Sequence, residues 1–496
     1  MSASIKKITA SNIPQEIRAI TETLEKGGFE AYLIGGCTRD LLLGRTPKDW
    51  DVTTNANPEQ IQELFEETFY ENDYGTVGVV NETENISLKI VEITPYRLEA
   101  TYTDARRPDS VEFSKHLEDD LKRRDFTINA IAYSISKNEL VDPYNGRDDL
   151  KSKSITAVGD PFERFEEDAL RMLRAIRLSA QLYFTIESST ASAIAKSAPQ
   201  LARIAKERIR DEFLKILASD NPMHAIIIAE KLGLLPYIAP DLERGIGIEQ
   251  NQAHTYDVFE HLLRTMQHGA DMKWNIDIRL AGLYHDISKP ETRRWSKEKG
   301  DWTFHGHEVV GARVAKRAFN DLKLPKKQIE KLVKLVRWHM FFSDPDKVSI
   351  SAARRMIRNV GEENIWDLLN LRICDRIGSG RPKAQPFRFR KYKSMIEEAL
   401  MDPISVSMLK VDGAEVMRLT GEKPGPRLGY ILHALLEEVL DDPKKNTKAY
   451  LEKQIKELQE LPEETLKAHG EQGKRRREEF EEEAVKEIRK KYWVDT

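Results

Sequence analysis

Strand-like patterning in this 496-residue chain is confined to its first third, and that asymmetry limits the possible folds more than any other feature. Short apolar or alternating runs at 31–34, 49–54, 76–80, 86–94 and 128–135 read as strands. Residues 13–27 and 58–70 read as helices, the second with Pro58 near its start. From about residue 162 onward amphipathic helical periodicity takes over. The expected fold class is therefore α+β, a small mixed-sheet head followed by a long all-helical body. Breaks fall at 236–247, at 378–387 and near Pro443; from about 446 the chain is rich in Lys, Glu and Arg and reads as exposed, partly mobile helix.

Composition narrows the class. Charged residues at 32% against 40% hydrophobic describe a soluble, helix-rich protein. No run approaches the ~18 apolar residues of a membrane span, so no membrane partner is expected. The first residues lack the apolar stretch of a secretory signal, and Cys37 and Cys374 are the only cysteines, so a reducing cytoplasm is the expected location. A net charge of −4 argues against bulk attraction to nucleic acid and leaves open a basic surface opposite an acidic one.

Chemistry concentrates in the head. Gly35 and Gly36 follow the apolar run 31–34, where a missing Cβ lets backbone N–H groups approach a phosphate. Asp49 and Asp51, read as one strand, share a face about 7 Å apart. Carboxylates so placed suit Mg²⁺ on a nucleoside triphosphate. Glu92 interrupts the apolar run 88–94, where a charge is costly unless paired or metal-bound, and is the candidate third ligand. Residues 121–130 combine Arg124, Asp125 and Asn129, groups able to hold phosphate oxygens and ribose hydroxyls. Asp142-Pro143-Tyr144-Asn145-Gly146 is a turn. In the helix expected around 167–177, Asp168, Arg171 and, less closely, Arg174 lie on a face away from Leu170, Leu173 and Ile176.

These motifs, read as GGxxRD, DxD, RRDFTINA, DPxxG, EDxxRxxR and then Glu207-Arg208-Ile209-Arg210-Asp211-Glu212, occur in the order of the class II tRNA nucleotidyltransferase and poly(A) polymerase family, which this chain resembles over nearly all of 28–217. Thr38 stands where that family more often has an aliphatic residue. The resemblance implies a nucleotidyltransferase head with a helical neck, Mg²⁺ on Asp49 and Asp51, and nucleotide contacts at Gly35, Gly36, Arg39, Asp40, Arg124, Asp125 and Asn129. It also implies that Asp168 and Arg171 select the incoming base. A carboxylate accepts from the exocyclic amine of cytosine or adenine while a guanidinium donates to the ring nitrogen beside it; uracil and guanine mismatch both contacts. The implied reaction adds C, C and A to the 3′ end of tRNA from CTP and ATP, by attack of the primer 3′-hydroxyl on the α-phosphate with release of pyrophosphate. The RFRLAH-type signature usual in poly(A) polymerases is not found, and the loop containing Asp104-Ala105-Arg106-Arg107-Pro108 is full length, unlike that of CC-only enzymes. An enzyme adding only A, and a poly(A) polymerase, stand as alternatives. A nucleotide-sensing hydrolase is disfavoured by the DxD and EDxxR motifs.

Seven of the eleven histidines fall between 254 and 339. The order His261, His285-Asp286, His307, His339, Asp375, with Lys289-Pro290 after the His-Asp pair, resembles an HD metal-dependent phosphohydrolase domain. His254 and His268, a heptad either side of His261, compete as ligands. Imidazoles with carboxylates suit Mn²⁺, Ni²⁺, Zn²⁺ or Fe²⁺ better than Mg²⁺. The expected organisation is a head at 1–160, a neck at 161–245, an HD body at 246–380 and a tRNA-binding tail at 381–496.

Overall fold

The computed structural model describes residues 5–70, 75–99, 111–251, 255–341, 348–401 and 406–494. The chain divides into two compact units, Met1–His339 with Asn370–Pro382, and Met340–Leu369 with Lys383–Thr496. Asp104 to Pro108 and His254 lie outside the described residues.

The head is built on a seven-stranded mixed sheet. Its strands are β1 (Tyr32–Ile34), β2 (Asp51–Thr54), β3 (Thr68–Tyr70), β4 (Val77–Val80) and β5 (Ile90–Pro95), with β8 (Ala132–Ser134) and β9 (Glu139–Val141). Arg97–Glu99 (β6) and Val111–Phe113 (β7) pair separately. The sheet order is β3-β4-β5-β2-β1-β8-β9. Within it β2 and β5 run parallel, and this register sets Asp51 directly beside Glu92.

The structure corrects several expected boundaries. The strand expected at 49–54 begins at Asp51, so Asp49 sits in a bend ahead of it. The helix expected over 58–70 stops at Leu64. Asn57 and Gln60 cap its start reciprocally, and the β-branched and aromatic run Thr68–Tyr70 then pairs with β4. Residues 86–89 form a helical turn begun by the Asn85 side chain, and strand geometry starts only at Ile90. Thr127–Asn129 is a 3₁₀ turn rather than the first part of a strand. In the expected turn, Asp142 accepts from the N–H groups of Gly146 and Arg147 (2.8 and 3.0 Å) and so starts the next helix.

After the head the chain is mostly helical. The helix Leu170–Leu182 buries Leu170, Met172, Leu173, Ile176 and Leu178, and joins Lys206–Ala218 through a 2.7 Å contact between Arg177 and Glu212. In the second unit the core gathers Val416, Ile431, Leu435, Leu436, Leu451, Ile455 and Leu466. The charged stretch after 446 is therefore anchored rather than free. Its 29-residue helix Glu463–Lys491 crosses Pro426–Asp441 at Gly470 and Gly473, where an added Cβ would strike the Tyr430 backbone and the His433 carbonyl. No described helix is long and apolar enough to cross a membrane.

Both cysteines are buried and free. Burial and the neighbouring Asp51 push the Cys37 thiol up to about 11, and burial pushes Cys374 up as well. At pH 8 iodoacetamide is expected to leave both unlabelled in the native protein and to label both after unfolding, as read by mass spectrometry. Rapid native labelling of Cys37 would contradict this packing.

Candidate functional site

A cleft of about 380 Å³ opens in the head. Gly35 forms its floor with φ +74°, a conformation L side chains resist. A Cβ there would lie 3.1 Å from Arg124 Nη1 and 3.5 Å from Asp51 Oδ2, so the glycine lets the cation and the carboxylate close around bare backbone. Gly36, Asp51 and Glu92 also line the cleft. Glu92 lies on the open face of β5 and is exposed. The expectation that burial forces it onto a metal therefore fails, although its position beside Asp51 keeps it within the cleft.

Burial, reinforced by the nearby Asp49 charge, holds the Asp51 carboxyl above the usual carboxylate range against the opposing pull of Arg124 and Arg39. Such a carboxylate gains from a bound cation, and two hard oxygen donors on one wall fit Mg²⁺. Asp49 is exposed and does not line the cleft. Among the described residues, groups of three or more metal-type donors within ligand distance of one another occur only in the histidine-rich body, so Asp49, Asp51 and Glu92 do not form such a set here.

Along one wall of the cleft, Arg39, Asp40, Asn129, Asp125 and Arg174 form one chain of contacts. Arg39 donates to Asp40 (2.9 Å) and to Asn129 Oδ1 (2.8 Å); Asn129 donates to Asp125 (3.1 Å), and Arg174 donates to the other Asp125 oxygen (2.7 Å). Burial alone would raise the Asp125 carboxyl, but Arg174, Asn129 and Arg171 outweigh it and hold it down at about 2. Arg39 and Asp40 support this wall without lining the cleft, whereas Arg124, Asp125, Asn129 and Arg174 line it.

Asp168 and Arg171 also line the cleft but do not share a helix face. The helix Pro161–Glu167 ends at Asp168, which turns the chain into Leu170–Leu182 and accepts from the Leu170 N–H (3.1 Å). Asp168 pairs with Arg208 (2.7 Å), and Arg171 with Glu167 and the Arg123 carbonyl (3.0 Å). Sequence reading gave no role to Arg208, although its motif was visible. It also missed Asp120, fully buried and clamped by Arg123 and Arg124, for which the only signal is i+3 and i+4 spacing.

The second constellation is buried in the helical body. His261 lies on Val258–Asp271, His285 and Asp286 follow Ile276–Tyr284, His307 opens His307–Asp321, His339 ends Lys326–Trp338, and Asp375 sits near the end of Glu362–Gly378. Nδ1 of His285, His307 and His339 faces the carbonyls of Gly282, Phe304 and Val336 at 2.8, 2.6 and 2.7 Å. A carbonyl there requires the proton on Nδ1, which turns each Nε2 lone pair inward.

Asp286 divides the cluster. Its Oδ2 is 3.1 Å from Nε2 of both His261 and His285, and Oδ1 is 3.1 and 3.4 Å from Nε2 of His307 and His339. Asp375 closes the first group at 3.4 Å from His261 and 3.6 Å from His285. Oδ1 of Asp286 is buried and accepts no hydrogen bond, so lone pairs face lone pairs with 3.3 Å between the His307 and His339 Nε2 atoms. The two groups are His261, His285, Asp286 and Asp375, and Asp286, His307 and His339. This donor chemistry fits two adjacent transition-type divalent ions sharing Asp286.

Burial depresses His339 to about 4, whereas at His285 the Asp286 and Asp375 carboxylates overcome burial and raise it to about 9, holding on its Nε2 a proton that a bound cation would displace. Lys289 Nζ lies 2.6 Å from Asp286 Oδ2. The carboxylates thus draw positive charge inward. His268 takes no part, packing edge-on against Trp274.

Sheet, neck and histidine cluster define a polymerase-type nucleotidyltransferase joined to an HD domain. Residues 31–156 match the Poly A polymerase head domain, 183–246 the probable RNA and SrmB-binding site of polymerase A, and 258–377 the HD domain. The chain is 32% identical over 454 residues to the CCA-adding enzyme of Ligilactobacillus salivarius, covering 90% of this chain and 98% of that protein. It is 43% identical over 271 residues to that of Leuconostoc mesenteroides, covering 53% of this chain and 66% of that protein. The chain belongs to the CCA-adding enzyme family. A crystal structure of the Bacillus stearothermophilus CCA-adding enzyme in complex with CTP matches at a TM-score of 0.54 and 25% identity, over 90% of this chain and 98% of that one. The Thermotoga maritima enzyme complexed with tRNA shares the fold at 0.50 and 19%, over 91% and 97%.

Proposed function

We propose that this protein adds C, C and A to the 3′ end of tRNA from CTP and ATP without a nucleic-acid template. The observation that carries the reading is that Asp51 and Glu92 share one cleft with Asp168 and Arg171. Asp51 and Glu92, with Asp49 beside them, would hold Mg²⁺. When bound, Mg²⁺ supplies charge neutralisation at the triphosphate and lowers the pKa of the primer hydroxyl. Arg124 and Arg174 face the phosphates, and Asp125 with Asn129 orients the ribose. Asp168 and Arg171 exchange their present partners for the base edge. The four segments 1–160, 161–245, 246–380 and 381–496 divide the work as head, neck, HD body and tail, the tail holding tRNA. A cytoplasmic setting is the reading that two cysteines in 496 residues favour.

The test is incorporation of labelled CTP and ATP into tRNAs trimmed before, within and after the two cytidines. Stepwise addition of C, C and A is expected. Addition of A alone would leave an A-adding enzyme or poly(A) polymerase, and no addition would leave a nucleotide sensor. Asp168→Ala is expected to cut discrimination against UTP by about 5- to 150-fold, the ~1–3 kcal/mol of a mismatched buried polar contact. Unchanged selectivity in competition assays would remove Asp168 as the base reader.

The histidine centre is proposed as a phosphohydrolase site holding two ions from among Mn²⁺, Ni²⁺, Zn²⁺ and Fe²⁺. Asp286 would lie between them, and Lys289 would stand ready for a substrate phosphate.

A further inference from the structure

Between the ligand segments of the histidine centre stands a hairpin of Arg294–Ser296 and Asp301–Thr303. Both of its ends are tied to that centre. On one side Lys289 reaches Asp286 at 2.6 Å, and on the other the Phe304 carbonyl meets His307 Nδ1 at 2.6 Å. Trp295 and Trp302 are register partners, with ring centroids 5.1 Å apart at 79°. The Arg293 guanidinium lies 3.7 Å over the Trp302 ring.

A cross-strand aromatic pair stabilises a two-stranded ribbon, and this accounts for the half-buried Trp302 under Arg293. The pair engages Trp295 only in part: its residue surface stays 54% exposed, the one exposed tryptophan among the described residues of its unit. The turn that follows it, Lys297-Glu298-Lys299, is exposed and carries two cations to one carboxylate, which suits it to phosphates. An exposed indole ahead of such a turn, on a stem rooted in a phosphohydrolase centre, has the chemistry of a base-stacking platform.

We propose that Trp295 stacks on the nucleobase of the substrate cleaved at the histidine centre, a nucleotide either free or at a single-stranded RNA 3′ end. This rests on the phosphohydrolase reading above and assigns the specificity of that centre to the hairpin.

The test uses the full chain loaded with Mn²⁺ and three substrates: cytidine 2′,3′-cyclic phosphate, a short RNA ending in a 2′,3′-cyclic phosphate, and methyl riboside 2,3-cyclic phosphate, which lacks a base. Trp295→Ala is expected to raise KM for base-bearing substrates by about 5- to 150-fold with little change in kcat, and to leave the base-free compound unaffected. Trp295→Phe should restore most of the loss. An effect confined to the RNA identifies the RNA end as the source; an effect on both identifies the nucleotide itself. Equal KM values, or a parallel loss on the base-free compound, would overturn the proposal. Absence of turnover in a metal-loaded wild type would instead overturn the hydrolase reading. Stacking is then read separately, from the fluorine resonance of 5-fluorotryptophan at position 295, assigned by its loss in Trp295→Phe. It should shift on addition of cytidine 2′-monophosphate, and no shift at saturation would end the proposal.

Discussion

Asp51→Ala is expected to reduce both CTP and ATP addition by at least about 10²-fold while leaving the fold intact. Asp51 begins β2, is fixed by register beside Glu92, and faces the bare backbone of Gly35. Its half-buried carboxylate anchors the proposed Mg²⁺ site, and losing such an electrostatic contribution costs about 10²–10³ in rate. Burial holds this carboxyl above its ordinary range, so its charge is not a source of folding stability. The expected signature is therefore inactivity with an unchanged or slightly raised Tm. Asp49→Ala is expected to abolish both additions as well, again with the fold intact. Because Asp49 is exposed and outside the cleft lining, retained activity in that variant would remove it from the ligand set. Retained activity in Asp51→Ala would remove the head mechanism altogether.

Asp286→Asn is expected to empty the histidine centre of metal while sparing nucleotide addition. Both Asp286 oxygens are engaged, one toward His261 and His285 and the other toward His307 and His339, so one substitution weakens both positions. Metal analysis should fall from about two equivalents per chain to nearly none, because ligand charge sets affinity. Asparagine preserves volume and an acceptor for Lys289. Asp286→Ala, which removes the carboxylate beside a buried ammonium, is expected to cost about 3–5 kcal/mol as well. CTP incorporation that vanishes together with the metal in a folded Asp286→Asn protein would show that the two centres are not independent.

The mixed-sheet head and helical remainder are legible in the sequence because period-2 and period-3.6 patterning barely overlap along this chain. Boundaries are less so. The end of the helix at Leu64 is hard to read in Pro58–Tyr70, since the strand character of Thr68–Tyr70 is settled by pairing with Val77–Val79, further along the chain. The placement of Asp168 turns on one non-helical residue, which converts an expected i, i+3 neighbour of Arg171 into a junction residue held by Arg208. Asp120 carries no local mark separating it from Asp119, and only packing decides which carboxylate is buried. The histidine ligands come from helices far apart in sequence. Their order suggests a centre, but the division of Asp286 between two groups appears only when the Nε2 atoms are placed.

The crossing at Gly470 and Gly473 has a mechanical consequence. The helix Glu463–Lys491 is a rod of about 43 Å at 1.5 Å per residue, clamped where its backbone touches its neighbour's. Lys474, Arg475, Arg476 and Arg477 follow the clamp directly, so their angular phase around the rod is set by main chain rather than by adaptable side chains. Inserting one residue after Gly473 would swing that quartet by about 100° without disturbing the clamp.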